Sequence, residues 1–131
     1  MNNFKLVNNL SGWLMFLIAS LVYMLTAEPT TSLWDCGEFI SAAHKMEVVH
    51  PPGAPLFLMI GRMFSFVSET FSIDKANIAY AINLMSGIST ATLVLFIFWS
   101  TTILAKLTLV GYKGNLDQQG DIIAVIGSGV V

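Results

Sequence analysis

Charge is scarce in this chain. Of its 131 residues 11% are charged, six of them lysine or arginine and eight aspartate or glutamate, against 55% hydrophobic residues. Soluble domains carry about a quarter charged residues. A surface this poor in charge does not stay in solution, so the composition points to an integral membrane protein. The small formal net charge of −2 and the lack of any basic run exclude nucleic acid as a partner. One cysteine, Cys36, makes no intrachain disulfide and leaves the redox compartment undecided. A glycine-rich phosphate loop after a strand is missing too, which argues against a nucleotide-sugar enzyme built on a dinucleotide-binding fold.

Uninterrupted apolar stretches take the place of charge. Residues 10–27 form the first, with Trp13 and Tyr23 near its ends. Its length suits a slightly short transmembrane helix with interfacial aromatics. It is long for a signal-peptide core, and no small-x-small site precedes Glu28, so a retained first span is expected. Residues 76–105 form the second and strongest span, with Ala79, Asn83, Gly87 and Ala91 spaced by four. That spacing puts small or polar groups on one helix face, where another helix can approach closely. A third apolar run, 121–131, opens at Asp121 and is shorter than the roughly 20 residues a span needs. The expectation is therefore an all-α membrane protein: two full transmembrane helices and the truncated start of a third, as the N-terminal part of one longer polytopic domain. A complete small protein with a re-entrant tail is the alternative.

Lys5 precedes the first span, and Lys106 and Lys113 follow the second. The positive-inside rule then makes the N-terminus cytoplasmic and puts the 28–75 loop outside. Lys45, Arg62 and Lys75 within that loop weaken the bias.

This outer loop gathers the chemistry. Residues 28–61 hold four of the eight acidic residues, both histidines, the only cysteine and all four prolines. Glu28 before Pro29 ends the first helix, because a residue preceding proline is pushed out of the α region. Residues 33–46 read as an amphipathic helix with Phe39, Ala42, Ala43 and Met46 on one face. The Val48-Val49-His50-Pro51-Pro52-Gly53 stretch breaks it. Pro55 then suits the first turn of another helix over 54–67, too short to cross comfortably and carrying Arg62 at its centre. It lies at the membrane interface or packs into the protein's own wall.

Each polar residue there carries a functional reading and a plainer one. Asp35 and Glu38, one helical turn apart, suit general-base work in a partly dry niche; as Ser32-x-x-Asp35 and Asp35-x-x-Glu38 they equally suit a helix cap. Arg62 either holds a lipid phosphate or snorkels. Trp34 is an interface anchor or a platform for a sugar ring. The rigid turn from His50 through Pro52 to Gly53 can aim an imidazole or backbone N–H groups at an anion. Asp35, Cys36, Glu38, His44 and His50 follow no metal-ligand spacing, so no metal ligand is assigned and a divalent metal is left open.

The segments TAEPTTSLWDCGEF (26–39) and HPPGAPLF (50–57) closely resemble the start of a bacterial multispanning family. That family is related to a eukaryotic transmembrane protein O-mannosyltransferase and looks like part of the glycosyltransferase-C superfamily. The resemblance covers nearly the whole chain and implies a short first span, a large outer loop with juxtamembrane helices, and a long returning span. It implies an acidic residue of that loop as catalytic base, with Asp35 the matching candidate, Glu38 the second and Glu28 a third at the span's exit. It also implies a polyprenyl-phosphate-linked sugar as donor, a protein hydroxyl as acceptor, and the bilayer of a bacterial inner membrane as location. Trp34, His50, Pro52, Gly53 and Arg62 are the expected donor-binding residues. Two rivals stand beside this enzyme: a transporter component with charges along a pathway, and a scaffold whose outer loop docks a partner.

Overall fold

Helical hydrogen bonding runs through most of the chain, because few residues interrupt it. In the computed structural model the described residues are 3–31, 34–51, 53–71, 76–112, 114, 116 and 119–130, and they form five helices and no strand. These are α1 (Asn3–Thr26), α2 (Cys36–Lys45), α3 (Pro55–Phe71), α4 (Ala76–Val110) and α5 (Gln119–Ser128). The all-α class is as expected, and two helical stretches, Phe4–Thr26 and Asn77–Val110, are long and apolar enough to cross a membrane. Only 11% and 17% of their apolar windows are buried against protein, which is unlike the core helix of a soluble domain.

Helix ends differ from the apolar runs in an instructive way. The first run begins at residue 10, yet α1 starts at Asn3. Nothing in that polar lead-in breaks a helix, so the hydrogen-bond ladder continues past the apolar residues. Likewise α4 runs past Lys106 to Val110, and Gly111 stops it at φ 72 with its N–H on the Leu107 carbonyl at 3.0 Å. α2 is shorter than expected. Met46 is no face residue but its left-handed C-cap at φ 58, its N–H donating to the Ala42 carbonyl. The helix thus stops before the prolines reach it. α3 begins at Pro55 and gains a turn beyond residue 67. Where a third span was expected, α5 is a ten-residue helix. Ser32, Leu33, Lys75 and Lys113 lie outside the described residues.

The chain divides into two compact units. One is Tyr23–Ser89, whose core is Ile40, Ala42, Ala43, Val49, Leu58, Ile82 and Met85. α2 and α3 pack closely there because Gly61 faces Ala43: a Cβ at residue 61 would sit 2.9 Å from the Ala43 Cβ. Asn83 and Gly87 of the spaced stripe meet the end of α1 and the chain beyond it. Asn83 donates to the Glu28 and Thr30 carbonyls at 2.8 and 2.9 Å, and Gly87 packs on Tyr23.

The other unit is Met1–Val22 with Thr90–Val131. Its buried residues include Phe4, Leu116, Val125, Phe98 and Thr102. Gly12 admits the Trp99 indole against the α1 backbone, and Trp13 meets Trp99 edge-on at 6.1 Å. Leu10, Leu14, Leu17 and Leu21 of α1 all remain exposed.

Candidate functional site

Asp35 holds the N-cap position of α2, yet its side chain makes no capping hydrogen bond. Its backbone, at φ −76 and ψ 0, is already helical rather than extended, so the carboxylate is not folded back over the first turn. Only its carbonyl joins the helix, accepting from the Phe39 N–H at 3.0 Å. The reciprocal half of a capping box is missing as well, because Glu38 turns elsewhere. The Asp35-x-x-Glu38 box is therefore not formed, and Ser32, the partner in the other spacing, lies outside the described residues.

Asp35 instead lines a cavity of about 410 Å³ within the Tyr23–Ser89 unit. Phe39, Ile40, Phe57 and Ile82 give it apolar walls, while Asn83 and Ser86 of α4 add polar groups. Such a mixture, mostly apolar with a few convergent polar atoms, is typical of small-molecule sites of about 300–1,000 Å³. Trp34 lines the cavity too; it is 93% exposed and held at φ 66. A left-handed backbone costs a non-glycine residue roughly 1–2 kcal/mol. Strain of this kind persists where the surroundings over-determine it, and it collects at ligand sites.

Glu38 and His50 form a separate pair. Glu38 accepts the His50 backbone N–H at Oε1 (3.0 Å) and pairs with the imidazole Nδ1 through Oε2 (2.9 Å). The backbone hydrogen bond, then the imidazole, hold the Glu38 carboxyl below its ordinary range, and the Glu38 hydrogen bond raises His50. A carboxylate so occupied is a poorer proton acceptor than an uncommitted one. The pair ties the 46–54 loop to α2, and Gly53 closes the turn with its N–H on the His50 carbonyl at 3.0 Å. Pro52 lies outside the described residues. His50 also meets Phe39 edge-on at 5.9 Å, and Phe39 meets Phe57 at 5.7 Å, so the turn braces one cavity wall from behind.

Arg62 is brought elsewhere. Its guanidinium pairs with Glu69 at 3.0 Å and lies 3.3 Å from Ser65 Oγ and His44 Nδ1. His44 Nδ1 is in turn 2.7 Å from Ser65 Oγ and 3.0 Å from Glu69. This half-buried network staples α2 to α3, and Arg62 does not line the cavity. Glu28 accepts from the Thr30 hydroxyl at 2.8 Å, in the turn that Asn83 anchors. Among the described residues no three His, Cys, Asp or Glu side chains are grouped to hold a metal ion.

The structure thus brings Asp35 and Trp34 together, pairs Glu38 with His50, and separates Arg62 and Glu28 from them. Asn83, Phe39 and Phe57 were not singled out as site residues by sequence. The one signal for Asn83 was its place in the spaced stripe, read there as helix packing.

A family described as Protein O-mannosyl-transferase TMEM260 N-terminal domain matches residues 35–131. A Dictyostelium discoideum protein named protein O-mannosyl-transferase tmem260 is 34% identical over 85 residues, 65% of this chain and 10% of that protein. A mouse protein O-mannosyl-transferase TMEM260 is 33% identical over 85 residues, 65% of this chain and 11% of that one. The chain spans about a tenth of the length of these relatives. No solved structure matches. These eukaryotic relatives overturn the assignment to a bacterial family, and the placement in a bacterial inner membrane falls with it. Matched over well more than half its length, the chain belongs to the TMEM260 N-terminal domain family of protein O-mannosyl-transferases.

Proposed function

We propose that this chain is the N-terminal part of a membrane glycosyltransferase with a glycosyltransferase-C-like arrangement, and that Asp35 is its general base. α1 and α4 are its first two full transmembrane helices, and α5 belongs to the start of a third span. α2 and α3 are juxtamembrane helices of an outer loop over residues 28–75, on the face away from the cytosol. The enzyme moves a sugar, mannose by the names of its relatives, from a polyprenyl-phosphate donor to a protein hydroxyl.

The single observation that carries the site is the uncapped Asp35 carboxylate at the wall of the apolar cavity. In the proposed step Asp35 takes the proton of the acceptor hydroxyl as that oxygen attacks the anomeric carbon. The new C–O bond forms from the face opposite the phosphate, the bond to the phosphate oxygen breaks, and the lipid phosphate leaves with the electron pair. Configuration inverts. One base suffices, since a phosphate is already a fair leaving group.

Trp34 offers a ring to the sugar, and Glu38 with His50 acts by bracing Phe39 rather than by moving protons. The leaving charge needs cationic or N–H stabilisation. The N–H groups of the His50–Gly53 turn are committed to Glu38 and to the His50 carbonyl, and Arg62 is engaged by Glu69, so the His50 imidazole is the candidate left there. Later parts of a longer chain would complete the walls.

The test measures transfer from a polyprenyl-linked mannose donor by the full-length protein and its Asp35→Asn variant. Normal transfer by Asp35→Asn would remove Asp35 from the chemistry. For orientation, Cys36 should react with an impermeant thiol reagent from the non-cytosolic side; labelling only from the cytosolic side would invert the topology.

A further inference from the structure

A second cavity, of about 380 Å³, lies in the other unit and has a different chemistry. Lys5, Asn8 and Asn9 of α1 line it together with Lys106 of α4 and Tyr112 just beyond. Its apolar walls come from Phe4, Ile103 and Leu107. No carboxylate lines it, and neither lysine makes an ion pair, among the described residues. Lys106 is held with its Nζ 5.3 Å from the centre of the Phe4 ring, a cation–π contact that keeps the ammonium over apolar surface. The first turn of α1 carries no acidic residue, so the positive end of its dipole adds to the two ammonium groups.

Asn8 adds a polar group to the cavity wall. It is 6% exposed, lines the cavity, and its side-chain oxygen has no partner among the described residues. Buried polar groups are nearly always paired, since leaving one unpaired costs about 1–3 kcal/mol. The Nδ2 end of the amide is not sealed in this way and has N–H groups to donate.

We propose that this cavity binds the phosphate of an anionic glycerophospholipid, gripped by Lys5 and Lys106 and hydrogen-bonded by the Asn8 amide. Lipid fits better than free phosphate because apolar surface continues away from the cavity: Leu6 and Leu10 on α1 and Ile103 and Leu107 on α4 are all exposed. Acyl chains can lie along them while the head group meets the lysines. This site rests on the membrane placement of α1 and α4 proposed above, and not on sugar transfer.

The test is native mass spectrometry of the full-length protein, released from detergent containing phosphatidylglycerol or phosphatidylcholine. Wild type should retain phosphatidylglycerol and shed phosphatidylcholine. Lys5→Gln and Lys106→Gln should each weaken retention about fivefold, and the double variant about 25-fold. Lys45→Gln, in the other unit, should retain the lipid as wild type does. Should the double variant misfold, the single variants and the charge-keeping Lys5→Arg/Lys106→Arg protein still decide the matter. Equal retention of both lipids, or an unchanged adduct in Lys5→Gln and Lys106→Gln, overturns the proposal. Displacement of the lipid by millimolar inorganic phosphate overturns the lipid assignment in favour of free phosphate. Alkaline carbonate extraction separates the two failures: release from membranes sinks the membrane placement itself, while retention without lipid selectivity sinks only this site.

Discussion

The two units treat their polar groups in opposite ways. In Tyr23–Ser89, Glu38, His44, His50, Arg62, Ser65, Glu69 and Asn83 all find partners within the unit. In the other unit, Asn8, Ser20 and Trp99 each bury a polar atom with no partner among the described residues. A helix hairpin with its own ionic staple can satisfy its side chains locally. Two long apolar helices offer fewer partners, and these buried polar atoms stay unpaired among the described residues. Asp35 departs from that pattern, a carboxylate one turn from a fully paired one yet itself uncapped at a cavity wall.

That contrast can be broken most severely at Asp35. Asp35→Asn should cut sugar transfer by about 10²–10⁴-fold, the usual contribution of a general base. Glu38→Gln should cost far less and act through the cavity wall. Equal losses in both variants, read in one transfer assay, would erase the distinction drawn between them.

Close packing is the next target. Gly61→Ala forces α2 and α3 apart and Gly12→Ala meets the Trp99 indole, so each should destabilise the full-length protein by about 1–3 kcal/mol. Thermal unfolding in detergent reads this. An unchanged melting temperature for Gly61→Ala would mean that α2 and α3 do not touch there.

Trp34→Gly relieves the left-handed backbone and should raise stability by about 1 kcal/mol while lowering transfer. A variant that gains stability and keeps full transfer would leave Trp34 without a role in the site.

The smallest effect is the pH response of the Glu38–His50 pair. Glu38 is lowered, so its contribution is present above its unfolded pKa and fades as pH falls through the folded value. His50 is raised, so its contribution is present below its unfolded pKa and fades as pH rises through the folded value. The pair is therefore at full strength between about pH 4.5 and 6.5, the ordinary values of the two groups. In NMR titrations the His50 midpoint should drop in Glu38→Gln; an unmoved midpoint would mean that the pair does not form.

Some of this was legible from residues alone. The shortage of charge and the two apolar runs determined the helical class and both long helices, because helix is the one way an isolated apolar segment pairs all its own backbone groups. Pro55 marked the start of α3 for a similarly local reason. The helix ends at Asn3, Cys36 and Val110 differ from the reading, since helices start and stop at caps and breakers rather than where hydropathy changes.

Partnership was what only the tertiary structure decided. Sequence spacing put Asp35 and Glu38 one turn apart and could not separate a base from a cap. The approach of His50, twelve residues away from Glu38, claims one carboxylate and leaves the other at the cavity wall. Arg62 is claimed in the same way, by Glu69 and His44 once α3 lies against α2. Charges choose partners by distance through space, and that distance exists only after the chain has folded.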